Sequence, residues 1–164
     1  AMSPLTSTST PTFWLRAASI VALLFAVGHT LGAPWTPATG AAATGVVGAM
    51  KSVHFVAMGA DATYWGFYFG FGLSITCYLL ALAIITWQTA ALARSEARRL
   101  RALILTLAAL YTAIGVLSWM YFFTAPLVLS SIVVACLLVA FSCAHRGARS
   151  AAAVSGGRTS APVA

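Results

Sequence analysis

The sequence predicts an all-α membrane protein, a bundle of four antiparallel transmembrane helices with a short amphipathic helix in the first external loop. Three observations carry that prediction. The chain of 164 residues is 61% hydrophobic and 7% charged, whereas soluble domains carry roughly 25% charged residues. Its apolar residues arrive in blocks of about twenty, the stretch a helix needs to cross a hydrocarbon core about 30 Å thick. Its basic residues fall almost entirely on one side of those blocks.

Residues 1–12 are rich in Ser, Thr and Pro and show no periodicity, so they read as a disordered tail; Ala1 before Met2 reads as a processing scar. The four-helix domain then covers residues 13–145. Its first helix is expected over about 13–33. A signal peptide is the rival reading of this block, but Pro34 after Leu31-Gly32-Ala33 is a poor cleavage site, so a retained helix is expected. In the loop that follows, Val46, Met50, Val53 and Ala57 recur at helical spacing, which predicts an amphipathic helix lying on the membrane surface. The remaining spans are expected over about 64–93, 102–123 and 127–143, the last two joined by a tight turn at Thr124-Ala-Pro126. Residues 146–164, rich in Ala, Ser, Gly and Arg, read as a second disordered tail.

Orientation follows from the positive charges, because Lys and Arg are retained on the cytoplasmic side. Arg16 flanks the first helix; Arg94, Arg98, Arg99 and Arg101 separate the second and third; Arg146, Arg149 and Arg158 follow the fourth. The first loop carries Lys51 balanced by Asp61, and the turn before the last helix has no charge. Both termini are therefore expected in the cytoplasm. Trp14 and Trp87 fit the inner aromatic belt, and Trp35, Tyr64, Trp65, Trp119 and Tyr121 the outer one. The Arg-over-Lys and Ala bias points to a GC-rich bacterium, and so to an inner (plasma) membrane. The net charge of +7 is explained by this topology. Without aromatic residues interleaved for base stacking, it does not indicate a nucleic-acid partner.

Polar groups inside a membrane are expensive and are kept where they face the bundle or water. His29 is the clearest case. Steps of three and four residues back from it give Ala26, Phe25, Ala22 and Ala18, a small packing face, while Ile20, Leu24, Val27 and Leu31 fall on the lipid side. His29 is expected to point inward, either hydrogen-bonded to a neighbouring helix or acting in binding or proton movement. Lys51 and His54, one turn apart, would share the polar face of the surface helix. Lys51 also reads as a snorkelling side chain, and Asp61 as a cap for the second spanning helix. Together with Tyr64 and Tyr68 these residues fall toward one membrane surface, where a mouth between helices would gather them. Tyr111, Gly115 and Ser118 align on the third spanning helix, whose polar tip is expected to seek a partner across the bundle.

The second spanning helix carries the most specific pattern: Gly66, Gly70, Ser74, Cys77 and Ala81 recur at steps of four and three. Such a stripe of small residues predicts close packing by another helix. Tyr64, Phe67, Tyr68 and Phe71 crowd a neighbouring face.

Several chemistries find no support. His29 and His54 lie in different elements without a chelating repeat, so no metal, haem or other cofactor is expected. Cys77, Cys136 and Cys143 lie in apolar blocks and form no C-x-x-C pair. Ser74 and Ser118 have no local base or nucleophile elbow, and Gly70-Phe71-Gly72 is buried in a spanning helix rather than cradling phosphate.

The run Tyr64-Trp-Gly-Phe-Tyr-Phe-Gly-Phe-Gly-Leu73, preceded by Met50-Lys51 and followed by Trp87-Gln88, resembles a family of small bacterial four-helix transmembrane proteins with no assigned activity. An acidic residue often follows the Tyr-Trp pair in that family, where this chain has Gly66. The resemblance spans most of residues 13–143 and implies the architecture, not a reaction.

The leading expectation is a non-enzymatic protein that binds a hydrophobic ligand, a lipid or quinone, or a partner membrane protein or second copy, through the outer half of the bundle. His29, Lys51, His54, Asp61, Tyr64, Tyr68, Tyr111 and Ser118 are the candidate ligand-binding residues, and Gly66, Gly70 and Ser74 the packing residues. The alternative is a membrane enzyme in which His29 or His54 moves a proton on a lipid-soluble substrate, helped by Asp61 or Tyr68. Transport would need an internal repeat or a broken helix, and neither is evident.

Overall fold

A computed structural model describes residues 9–32 and 35–156, with side chains over 10–32 and 35–146. The elements run α1 (Ser9–Gly32), α2 (Ala41–Ser52), β1 (His54–Ala57), β2 (Ala60–Thr63), α3 (Tyr64–Glu96), α4 (Arg101–Tyr121) and α5 (Thr124–Gly156). Helices α1, α3, α4 and α5 are each long and apolar enough to cross a bilayer, so the chain is a multi-pass all-α membrane protein of four-helix-bundle architecture.

Three of the spanning helices outrun their expected limits. α1 begins at Ser9 instead of near Phe13. The Ser-Thr-Pro composition that reads as a tail is also the composition of a helix start, where proline's missing N–H is no loss. α5 likewise takes Thr124-Ala-Pro126 as its own first turn. It continues through the Ala-rich stretch to Gly156, because alanine is the best helix former in the absence of packing. α3 runs three residues beyond the expected 93, and α4 spans Arg101–Tyr121 where 102–123 was expected. Of the predicted tails, residues 1–8 and 157–164 lie outside the described residues, as does Ala33 of the first span.

The surface helix is shorter than its periodicity implies. α2 ends at Ser52, and the segment from His54 to Thr63 is an antiparallel hairpin in which His54 pairs with Thr63 and Ala57 with Ala60. Val53 and Ala57 therefore lie outside the helix. The physical reason is local: Val53-His-Phe-Val56 is rich in β-branched and aromatic residues, and Met58-Gly59 supplies a two-residue turn. Both turn residues have positive φ, 52° and 86°, as a type I′ hairpin turn requires.

The chain divides into two compact units, one comprising Ala1–Leu23 with Leu82–Ala164, the other Leu24–Ala81. In the first, Thr12, Leu15, Ala18, Ser19 and Ala22 of α1 are buried, as are Ala83, Thr86, Ala90 and Ala93 of α3. The alternating three- and four-residue steps on both are the seam of left-handed helix packing. Ser19 Oγ closes it by donating to the Ala83 carbonyl at 2.8 Å. α4 and α5 pack antiparallel in the same unit, burying Ile104, Leu107, Tyr111, Gly115 and Ser118 on one helix and Ser130, Val133, Leu137 and Ala140 on the other. At Gly115 the helices are close enough that an added Cβ would stand 3.5 Å from Ser130 Cβ.

The second unit is more open. Along α3 from Tyr64 to Ala81 only Leu79 is buried.

Candidate functional site

Most of the candidate residues belong to the second unit, where three separate arrangements hold them. The first joins α1 to α3. His29 is half-buried, and its Nε2 lies 3.1 Å from the Gly72 carbonyl oxygen. A carbonyl only accepts, so Nε2 carries the proton and donates it. On α1, Phe25 and Ala26 are buried while Leu24, Val27 and Leu31 are exposed, the inward placement that the spacing predicts. Next to His29, Thr30 Oγ1 donates to the Ala26 carbonyl at 2.7 Å and lies 3.3 Å from Thr76 Oγ1. The Thr76 hydroxyl also lies 3.4 Å from the Gly72 carbonyl oxygen of its own helix. The sequence reading missed this threonine pair, although Thr30 follows His29 and Thr76 lies one turn from Gly72.

The second arrangement is the hairpin. His54 Nδ1 sits 2.9 Å from Asp61 Oδ2 and 3.1 Å from Oδ1, with both side chains more than half exposed. Asp61 thus pairs with His54 across the strands and does not cap α3. The cap is Thr63, whose Oγ1 accepts from the Gly66 N–H at 3.0 Å, the spacing of an N-cap side chain to the third helical residue. On the opposite hairpin face Phe55 packs against α3, with ring centroids 4.9 Å from Tyr64 and 5.3 Å from Phe67.

The third is an aromatic and cationic surface. Lys51 Nζ lies 4.9 Å from the centre of the Trp65 ring, a cation–π contact. Lys51 and His54 therefore do not share a helix face, because α2 ends between them. Trp65 stacks near Tyr68 and Phe69, and Phe69 meets Trp35 edge-on at 5.5 Å. Trp35 Nε1 donates to the Thr30 carbonyl, tying this surface to the α1 end.

Within the second unit these groups are held by separate contacts: His29 is bonded to α3, His54 to Asp61, and Lys51 is held by Trp65. Tyr111 and Ser118 belong to the other unit. Tyr111 is fully buried, and its hydroxyl has no hydrogen-bond partner among the described residues. Ser118 Oγ donates within its own helix to the Ile114 carbonyl at 2.7 Å. The polar tip of α4 therefore does not find the cross-bundle partner expected of it.

The small-residue stripe lies on an open face of α3. Gly66 and Gly70 are exposed; nothing lies within 4 Å of a Cβ added at Gly70, and only Thr63 Oγ1 approaches one at Gly66. Ser74 is half-buried and turns its hydroxyl back to the Gly70 carbonyl. The residues of α3 that meet α1 in this unit, Gly72 and Thr76, are offset by two positions from the stripe. At about 100° per residue that is a rotation of about 200°, nearly the opposite side of the helix. Phe67, Tyr68, Phe71 and Tyr78 are exposed around it, Phe71 by 64% and Tyr78 by 68%.

Among the described residues no group of three or more His, Cys, Asp or Glu side chains is arranged to hold a metal ion. No protein-family model, curated protein or solved structure matches the chain.

Proposed function

We propose that this chain is a small bacterial inner-membrane protein, with both termini in the cytoplasm, that receives a helix of a partner membrane protein on the Gly66, Gly70 and Ser74 face of α3. The observation that carries this reading is the open space at Gly70, on a face of α3 where Gly66 and Cys77 are exposed too, whereas Ala83, Thr86, Ala90 and Ala93 further along the helix are buried. Glycine in a helix interior costs about 1 kcal/mol relative to alanine. Spaced four residues apart, glycines allow a second backbone to come close enough for van der Waals packing, which drives helix association in lipid. The exposed Phe67, Phe71 and Tyr78 then wall the groove. The separate engagement of His29 and His54 favours this non-catalytic reading over proton transfer by the two histidines.

Cys77 is exposed and continues the same stripe, so the protein carries its own probe. Thiol-reactive crosslinking at Cys77 in native membranes should capture a second polypeptide, and Gly70→Leu should abolish the adduct while the protein still folds. A Cys77 that captures no protein, with a lipid or quinone co-purifying instead, would move the assignment to a hydrophobic ligand. An adduct that survives Gly70→Leu would remove this face from the contact.

A further inference from the structure

The end of the first unit where α3 turns into α4 carries a surplus of positive charge. Arg94, Arg98, Arg99 and Arg101 cluster there, and the chain has only two acidic residues, Asp61 and Glu96. Asp61 is taken by His54, and Glu96 accepts from Arg99 Nη1 at 2.9 Å. Arg101 is the first residue of α4 and is half-buried, with its guanidinium carbon 5.0 Å from the centre of the Phe141 ring on α5. His145 lies one turn beyond Phe141 on the same side of α5. Arg101 Nε and His145 Nδ1 are both shielded from solvent and have no hydrogen-bond partner among the described residues. Both nitrogens are thus withdrawn from water near a surplus of positive charge, and buried polar atoms are normally hydrogen-bonded.

We propose that Arg101 and His145 bind the phosphate of an anionic phospholipid headgroup. Three features favour a lipid phosphate as the anion. α4 begins without a side-chain cap, so its first free N–H groups and the positive end of its dipole add to the attraction for a phosphate. One turn along α4 from Arg101, Leu105 is exposed, and Leu138 is exposed nearly one turn from Phe141 on α5. These apolar side chains continue along the same side of the helix pair, where acyl chains attached to the phosphate would run. Basic sites between spanning helices on the cytoplasmic side are a recurring mode of headgroup recognition. This site is distinct from the α3 groove, and neither assignment depends on the other.

Native mass spectrometry of the detergent-solubilised protein tests it, with dioleoyl phosphatidylglycerol and dioleoyl phosphatidylcholine as probes. The wild type should retain one phosphatidylglycerol in preference to phosphatidylcholine. Arg101→Gln should lower that retention roughly fivefold, the effect of about 1 kcal/mol per basic residue at a membrane surface. Arg101→Lys should keep most of it, and His145→Ala should weaken it further. Arg94→Gln removes the same charge from an exposed position and should change retention by less than about twofold. Equal losses from Arg94→Gln and Arg101→Gln would reduce the site to diffuse charge and overturn the proposal. Equal retention of the two lipids would do the same. Displacement of the lipid by inorganic phosphate at a lower concentration than the lipid itself would show a site for the free ion instead.

Discussion

Replacing His29 by leucine separates a packing role from a chemical one. The substitution removes a single interhelical hydrogen bond, the 3.1 Å contact from Nε2 to the Gly72 carbonyl. Such bonds between spanning helices contribute about 0.6 kcal/mol on average and about 1.7 kcal/mol at most. The Gly72 oxygen keeps the backbone N–H four residues along its own helix, so no acceptor is stranded. The penalty of about 1–3 kcal/mol for a buried unsatisfied group therefore does not arise. The adjoining Thr30 and Thr76 hydroxyls keep their own contacts, and leucine replaces a polar ring with apolar carbons at a half-buried position. The expected net loss is about 0.5–1.5 kcal/mol, read as a shift in the reversible unfolding curve when SDS is titrated into bicelles. His29→Gln, which retains a donor, should recover part of it. A loss above about 3 kcal/mol would mean that more depends on the ring than this bond. Unchanged stability with loss of the Cys77 adduct would show that His29 serves a ligand or partner, refuting its assignment to α1–α3 packing.

Three further outcomes follow from the same geometry. Gly115→Ala should be tolerated or slightly stabilising, because its Cβ would make an ordinary 3.5 Å contact with Ser130. Gly115→Leu should overpack the α4–α5 seam and lower stability by about 1–3 kcal/mol in the same unfolding assay. Met58→Asn should strengthen the hairpin and Gly59→Val weaken it, each by about 1 kcal/mol. Amide hydrogen exchange at Phe55 and Ala62, which face each other across the strands in a hydrogen-bonded pair, would then slow in the first variant and quicken in the second. Asp61→Asn breaks an exposed ion pair and should reduce hairpin protection by no more than about 1 kcal/mol. It should leave α3 intact, since Thr63 provides the cap; fraying of Tyr64 to Phe67 in the exchange profile would restore Asp61 as the capping group.

The spanning helices were legible because burial in lipid imposes length and composition, and the inward face of α1 was legible because three- and four-residue steps name a helix face directly. What failed to read out was pairing. Val46, Met50, Val53 and Ala57 keep helical spacing by coincidence, and the stronger signal was the β-prone run ending at Met58-Gly59. Asp61 looked like a cap because a carboxylate near a helix start is favourable, but Thr63 stands at the capping position and the hairpin gives Asp61 a histidine. Arg101 meets Phe141 only after the α4–α5 hairpin closes, a contact that the 39 intervening residues conceal. Tyr111 was correctly placed on a packed face, but spacing along one helix says nothing about what its hydroxyl finds there.

The small-residue stripe of α3 shows how far such a pattern reaches. Spacing of four and three establishes that a second backbone can approach; it does not establish that the second backbone belongs to the same chain. α4 offers the contrast, because Gly115 lies on a buried face and meets Ser130 within the protein. On α3 the residues that meet α1 are threonine, a glycine carbonyl and, further along, alanines, and they lie about 200° around from Gly70. A glycine serving only as a lipid-facing residue gains no packing to offset its unfavourable helix propensity, and substitution by leucine would improve the helix at no expense to the chain's own contacts. If Gly70 is kept for an approaching helix, Gly70→Leu should raise the stability of the isolated protein while eliminating its adduct through Cys77. A stabilised variant that still forms the adduct would leave the open glycine without a binding role.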